Sequence, residues 1–198
     1  MCSSDLCIGR CEQAPAAVVG QNPLPNATAL GVVEMVKAGQ TRHVPEGYID
    51  FASYRADGGY QLLEACLRGD RDVEGVIRTL EDSGLRGLGG AGFPAGRKWR
   101  IVRAEPAPRL LAVNIDEGEP GTFKDRVGLE RDPHRFLEGM LIAAWAVGID
   151  QAYIYLRDEY HGCRTMLELE LQKLQADPTL GPQLPAISLR RGAGAYRS

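Results

Sequence analysis

Two segments of the chain carry residue types suited to holding a flat or anionic ligand. The first, Gly87-Leu88-Gly89-Gly90-Ala91-Gly92, matches G-x-G-x-x-G letter for letter. Glycines let backbone N–H groups approach a phosphate or a ring without interference from a Cβ. Phe93, directly after them, offers a face on which a base can stack, and Lys98 a charge that can neutralise a phosphate. The glycines alone are weak support for that chemistry. A dinucleotide fingerprint needs a strand before it and a helix opening from it, whereas residues 72–83 read as a helix. A tight surface loop is the competing reading, and for Phe93 a place in the core.

The second segment runs Asn114-Ile115-Asp116-Glu117-Gly118-Glu119-Pro120-Gly121-Thr122-Phe123-Lys124-Asp125-Arg126. It follows an apolar strand-like run, at the kind of strand end where open α/β sheets bind ligands. Asp116, Glu117 and Glu119 repel one another unless they are solvated or donors reach them. A solvated turn, a metal site, or acceptors for the hydroxyls and carboxamide of a cofactor are the three readings. The absence of His or Cys beside them weakens transition-metal binding.

The elements that must position these residues follow from pattern. A strand over 16–19 precedes a Pro/Asn turn, and Thr28 caps a helix over 29–38 that Gly39 stops. Residues 40–58 read as a linker. Short helices are expected over 60–68 and 72–83, with Val73, Val76, Ile77 and Leu80 on one face of the second. Leu110–Ile115 reads as a buried strand. Asp132-Pro133 opens a helix with an apolar face from Phe136 to Trp145, ended by Gly148. A strand over Gln151–Leu156, a helix over 159–175 and a strand over 186–190 complete the pass. His134 is expected at the surface. The alternation of strands and helices predicts an α/β fold with a mostly parallel sheet.

Bulk properties narrow the function. The net charge of -3 argues against a nucleic-acid binder. No apolar run approaches the roughly 18 residues of a membrane span, and no signal peptide is visible. Five cysteines, Cys2, Cys7, Cys11, Cys66 and Cys163, fit a reducing, cytoplasmic setting. The two ends invite a separate reading. Cys2-Ser3-Ser4-Asp5-Leu6 is what TGC-TCT-TCC-GAT-CT encodes, the end of a common short-read sequencing adapter. Arg197-Ser198 fits the same adapter on the opposite strand. The authentic gene is therefore expected to span Cys7 to Tyr196, and Cys2 to be a ligand of nothing.

The two motifs together resemble a known family. Gly84 to Trp99 is similar to the Gly-Leu-Arg-Gly-x-Gly-Gly-Ala-Gly-Phe-Pro-x-Gly-x-Lys-Trp segment of the complex I flavoprotein and its diaphorase relatives. Leu88 stands where many members carry Arg. The acidic segment resembles the family's Asn-x-Asp-Glu-x-Glu-Pro-Gly-Thr-x-Lys-Asp-Arg. Gly192-Ala193-Gly194-Ala195-Tyr196 resembles the start of a third motif, and the match stops at Tyr196. Cys7-x-x-x-Cys11 followed by Ala14-Pro15 looks like the last part of a thioredoxin-like [2Fe–2S] domain.

The resemblance implies a Rossmann-like FMN-binding domain over 59–198, preceded by a thioredoxin-like remnant over 1–39 and the linker over 40–58. It implies FMN and NAD as cofactors. The backbone of Gly87, Gly89, Gly90, Ala91 and Gly92 would wrap flavin and nucleotide, with Phe93 on the adenine and Lys98 over the phosphates. Asn114, Asp116 and Glu117 would hold FMN, Glu119 would face the nicotinamide, and Tyr196 would join the cofactor contacts. Cys7 and Cys11 would be cluster ligands only in a longer parent, as would any [4Fe–4S] site. No protein group is implied as an acid or base catalyst. The implied activity is hydride exchange between NAD(H) and FMN, with single electrons passing to iron–sulfur clusters. Fusion of the cysteine segment to the flavin domain, with Leu88, favours the β subunit of an NAD-dependent formate dehydrogenase. Its partners would be a molybdopterin iron–sulfur subunit and a small [2Fe–2S] subunit. A complex I flavoprotein and a hydrogenase diaphorase are the alternatives, and a non-catalytic nucleotide-binding scaffold the alternative of another kind. The isolated chain is expected to be colourless and inactive alone.

Overall fold

The structure, a computed structural model, describes residues 8–88, 90–119 and 121–193. Near the amino end, β1 (Ala17–Val19) and β2 (Asn22–Leu24) form an antiparallel hairpin followed by α1 (Ala29–Lys37). Thr28 caps α1 as expected, its Oγ1 accepting from Gly31 N at 3.1 Å. Four helices come next: α2 (Phe51–Ala56), α3 (Gln61–Leu67), α4 (Val73–Asp82) and α5 (Ala95–Ala104). The second half holds β3 (Leu110–Ile115), α6 (Lys124–Arg131), α7 (Pro133–Val147), β4 (Gln151–Leu156), α8 (His161–Ala176) and β5 (Ala186–Arg191).

The expected α/β architecture is present. β3, β4 and β5 form a parallel sheet in sequence order, Val113 opposite Ile154 and Ile154 opposite Leu189. Two successive crossovers in one direction place both connecting helices on the same face. There Ala152, Ile154 and Leu156 pack against Leu137 and Leu141 of α7 and Met166 and Leu167 of α8. Strand residues alternate between faces, so Leu110, Ala112, Asn114 and Tyr155 fall on the other side and are exposed.

Three features depart from expectation. His134 is not at the surface but fully buried. Its Nδ1 meets the Tyr60 hydroxyl at 2.8 Å and its Nε2 the Glu170 carboxylate at 2.8 Å. Burial lowers its pKa, and the neutral ring with its proton on Nε2 satisfies both partners. Residues 40–58 contain α2, and Tyr48 and Phe51 N donate to the buried Glu170 carboxylate at 2.8 and 3.0 Å. Helices α5 and α6 are not foretold by the sequence pattern. In α6 only Val127 and Leu129 are large and apolar, too few to reveal a helix by periodicity.

Candidate functional site

The glycine segment is the tip of a helical hairpin. Gly84, with φ of +68°, ends α4 in the left-handed conformation. The loop is then pinched at its neck: Gly87 N donates to Phe93 O at 3.0 Å and Ala95 N to Leu85 O at 2.9 Å. Arg86 Nη1 reaches across to Gly92 O at 3.0 Å. Gly90 and Gly92 both have positive φ, and a Cβ built on either would meet nothing within 4 Å. The protein itself therefore does not demand glycine there for lack of space. The loop presents bare backbone toward open volume, as a cradle for a flat or phosphorylated group requires. Gly96 is different. A Cβ on it would lie 2.6 Å from Glu81 Cγ and 3.0 Å from Ile77 O, so this glycine brings α5 hard against α4. Arg100 reinforces the pair, bonding Glu74 at 2.7 Å and Glu81 at 2.8 Å.

On this hairpin Gly87, Gly90, Ala91 and Lys98 are exposed, and Phe93 is 39% exposed, so its ring is not a core residue. Lys98 forms no ion pair among the described residues. Gly89 and Tyr196, also expected to touch cofactor, lie outside the described residues, as does Cys7.

The acidic loop is built from behind by Glu117. Its carboxylate is buried and accepts from Asp125 N at 3.0 Å and Arg126 N at 3.3 Å, capping the amino end of α6. Tyr160 OH adds a bond at 2.9 Å, and Arg157 Nη1 donates to the Glu117 carbonyl at 2.6 Å. Burial, and then donation of its hydroxyl to the Glu117 carboxylate, push the Tyr160 phenol upward. Glu117 thus spends its carboxylate inside the protein, whereas Asn114, Asp116 and Glu119 are exposed around it. Asn114 Oδ1 accepts from Asp116 N at 2.9 Å, which leaves its amide nitrogen as a donor. Asn114, Asp116, Glu117 and Glu119 are brought together at the carboxyl end of β3. Among the described residues no hydrogen bond or ion pair joins this loop to the glycine loop.

The segment carrying Cys11 docks directly on the acidic loop. Cys11 Sγ accepts from Gly121 N at 3.3 Å. Beneath it lies Arg126, buried, whose Nε donates to Gly9 O at 3.0 Å and whose Nη1 bonds Glu130 at 2.6 Å. The third guanidinium nitrogen of Arg126, Nη2, pairs with Glu12. Arg10 also bonds Glu130, at 2.7 Å. Among the described residues no three His, Cys, Asp or Glu side chains are grouped for a metal ion. Arg126, Arg157, Tyr160 and Gly96 organise the two loops, and sequence reasoning gave none of them that part. Arg126 and Gly96 stand inside the quoted motifs, so the signal was their position there rather than any pattern of their own.

Known proteins share similarity with this chain. A family model described as "Nuo51 FMN-binding domain" matches residues 80–198. An NADH-quinone oxidoreductase subunit of Rhizobium meliloti (strain 1021) is 41% identical over 160 residues, 77% of this chain and 38% of that protein. The corresponding NADH-quinone oxidoreductase subunit of Aquifex aeolicus (strain VF5) is 44% identical over 72% of this chain and 34% of its own length. The NAD-reducing hydrogenase HoxS subunit alpha of Cupriavidus necator is 40% identical over 93% of this chain and 31% of its own length. A crystal structure of an NAD+-reducing [NiFe]-hydrogenase in the H2-reduced state superposes with a TM-score of 0.74 at 34% identity. That match covers 96% of this chain and 35% of the hydrogenase chain. The chain thus spans about a third of the length of these relatives. With a family model over more than half its residues and a shared fold, the chain belongs to the Nuo51 FMN-binding domain family.

Proposed function

We propose that the chain is the flavin- and nucleotide-binding part of an NADH:acceptor oxidoreductase, with FMN and NAD(H) as its cofactors. The observation that carries this is the acidic loop: Glu117 is locked inward by four donors, which holds Asn114, Asp116 and Glu119 outward at the carboxyl end of β3. A solvated turn needs no such anchoring. Helix α5 supports convergence of the two loops. Its last turn is tied to the amino edge of the sheet, Arg103 bonding Ala146 O at 2.7 Å. Its ten residues, about 15 Å of helix, pack against α7.

When bound at this site, FMN would supply two-electron chemistry with NADH and one-electron chemistry with an acceptor. The chain's own residues bind and orient. Asn114 and Asp116 hold flavin, Glu117 keeps their loop in place, and Glu119 faces the nicotinamide. Phe93 stacks on the adenine, Lys98 neutralises phosphate, and the open backbone at Gly87, Gly90 and Gly92 admits both ligands, with Gly89, Ala91 and Tyr196 completing the contacts. None of these residues needs to move a proton. Cys7 and Cys11, within a thioredoxin-like remnant over 1–39, are ligands of a [2Fe–2S] cluster in a longer parent. Here Cys11 alone among the described residues offers its exposed sulfur there.

For that parent we propose the β subunit of a cytoplasmic NAD-dependent formate dehydrogenase, working with a molybdopterin subunit. The cysteine segment fused to the flavin domain supports a parent of this composite kind. The HoxS subunit alpha aligns over 93% of the chain, against 77% and 72% for the two quinone oxidoreductase proteins. That same match favours a hydrogenase diaphorase as the second reading. Titration with FMN, followed by quenching of flavin fluorescence, tests the site: weak saturable quenching that Asp116→Asn weakens further is expected. Quenching absent at millimolar chain would overturn it. In the whole complex, NAD+ reduction by formate but not by H2 decides the branch.

A further inference from the structure

Within the glycine segment this chain carries arginine at position 97, between Gly96 and Lys98. Arg97 lies in the first turn of α5, four residues after Phe93, a spacing that brings side chains together around a helix start. Its guanidinium carbon stands over the Phe93 ring, 5.7 Å from the ring centre. Arg97 has no carboxylate partner among the described residues. Arg100, one turn on, is clamped between Glu74 and Glu81 instead. The Arg97 charge is therefore set against the ring of Phe93, which is itself 39% exposed.

We propose that Arg97 is a positioning residue for the adenine half of the dinucleotide. It backs one face of Phe93 and leaves the other for the base. The inference rests on the reading of Phe93 as the adenine platform. An exposed phenylalanine loses rotamer freedom when a ligand stacks on it, and fixing the ring beforehand removes part of that cost. A cation over the ring also holds it without competing for the stacking face.

The test is calorimetric titration of the chain with adenosine, AMP and nicotinamide mononucleotide. Arg97→Leu keeps the apolar stem and removes the charge. It is expected to weaken adenosine and AMP by the same factor, roughly two- to five-fold, and to leave nicotinamide mononucleotide unchanged. Arg97→Lys should recover part of the loss. Weakening of AMP and nicotinamide mononucleotide with adenosine unaffected would make Arg97 a phosphate contact and overturn the proposal, and so would unchanged binding of all three. Phe93→Ala separates the two levels. If it abolishes adenosine binding while Arg97→Leu does nothing, the platform stands and Arg97 falls. If it leaves adenosine binding intact, or the unsubstituted chain binds no adenosine, the platform falls and Arg97 with it.

Discussion

A buried carboxylate at the centre of a loop is only tolerable when donors surround it. Glu117 meets that condition with two backbone amides and a phenol. Replacing Tyr160 by Phe removes one donor and leaves the others, so a loss of about 1 kcal/mol in stability is expected. Glu117→Ala should cost more, about 1–3 kcal/mol, because it uncaps α6 and strands the Tyr160 hydroxyl. Urea unfolding of the two variants checks the order. The His134 site makes a pH prediction. Burial holds the ring below its ordinary 6.5, so the unfolded chain binds the extra proton first. Stability is full above that value and falls as pH drops through it toward the lowered folded value. Glu170, also lowered by its hydrogen bonds against the opposing effect of burial, loses its contribution further down, below its ordinary 4.5. His43 and His161 shift the same way as His134. His134→Phe is therefore expected to flatten the decline in urea midpoint between pH 7 and 5 only in part.

Among the elements, those with strong local signals were readable. The apolar, β-branched runs gave β3 and β4 with both ends correct, and Thr28, Asp132-Pro133 and Gly148 marked helix ends where the structure has them. Helix α6 was not readable because its cap arrives from Glu117, a side chain outside the helix. Helix α5 hid for another reason: its burial is concentrated at Gly96, a residue that counts as a breaker in sequence and here sets the closeness of two helices. Gly96→Ala tests that role. The methyl group would overlap Glu81 and the Ile77 carbonyl, and a loss of about 1–3 kcal/mol is expected from forced separation of α4 and α5. Because the glycine loop joins these helices, nucleotide affinity should fall with stability. A destabilised variant with unchanged affinity would show that the loop does not depend on this contact.

On the scale of the whole molecule, the described residues cover the sheet on one side. Parallel sheets are ordinarily buried on both. Leu110, at 59% exposure, and Tyr155, at 36%, mark the uncovered side. The isolated chain is expected to bind a hydrophobic dye and to associate as its concentration rises, and Leu110→Lys to reduce both. Light scattering across a concentration series, with and without the substitution, measures the effect. The strand periods foretold an α/β sheet, yet the site's supports were less legible. Residues that touch ligand stand in motifs, whereas those that hold the loops, such as Arg126 and Tyr160, act across 114 and 43 residues of sequence.

The contact between Cys11 and Gly121 gives the acidic loop a chemical reporter. Cys66 and Cys163 are buried and their thiols are shifted upward, Cys163 to about 12, so both react slowly with alkylating reagents. The Cys11 sulfur is exposed, and one of its neighbours is the loop's own amide. A bulky label there must push that amide aside, and a ligand that stiffens the loop must resist the label. Alkylation rate at this thiol, followed by mass spectrometry, would therefore count loop openings directly, with no coloured cofactor needed.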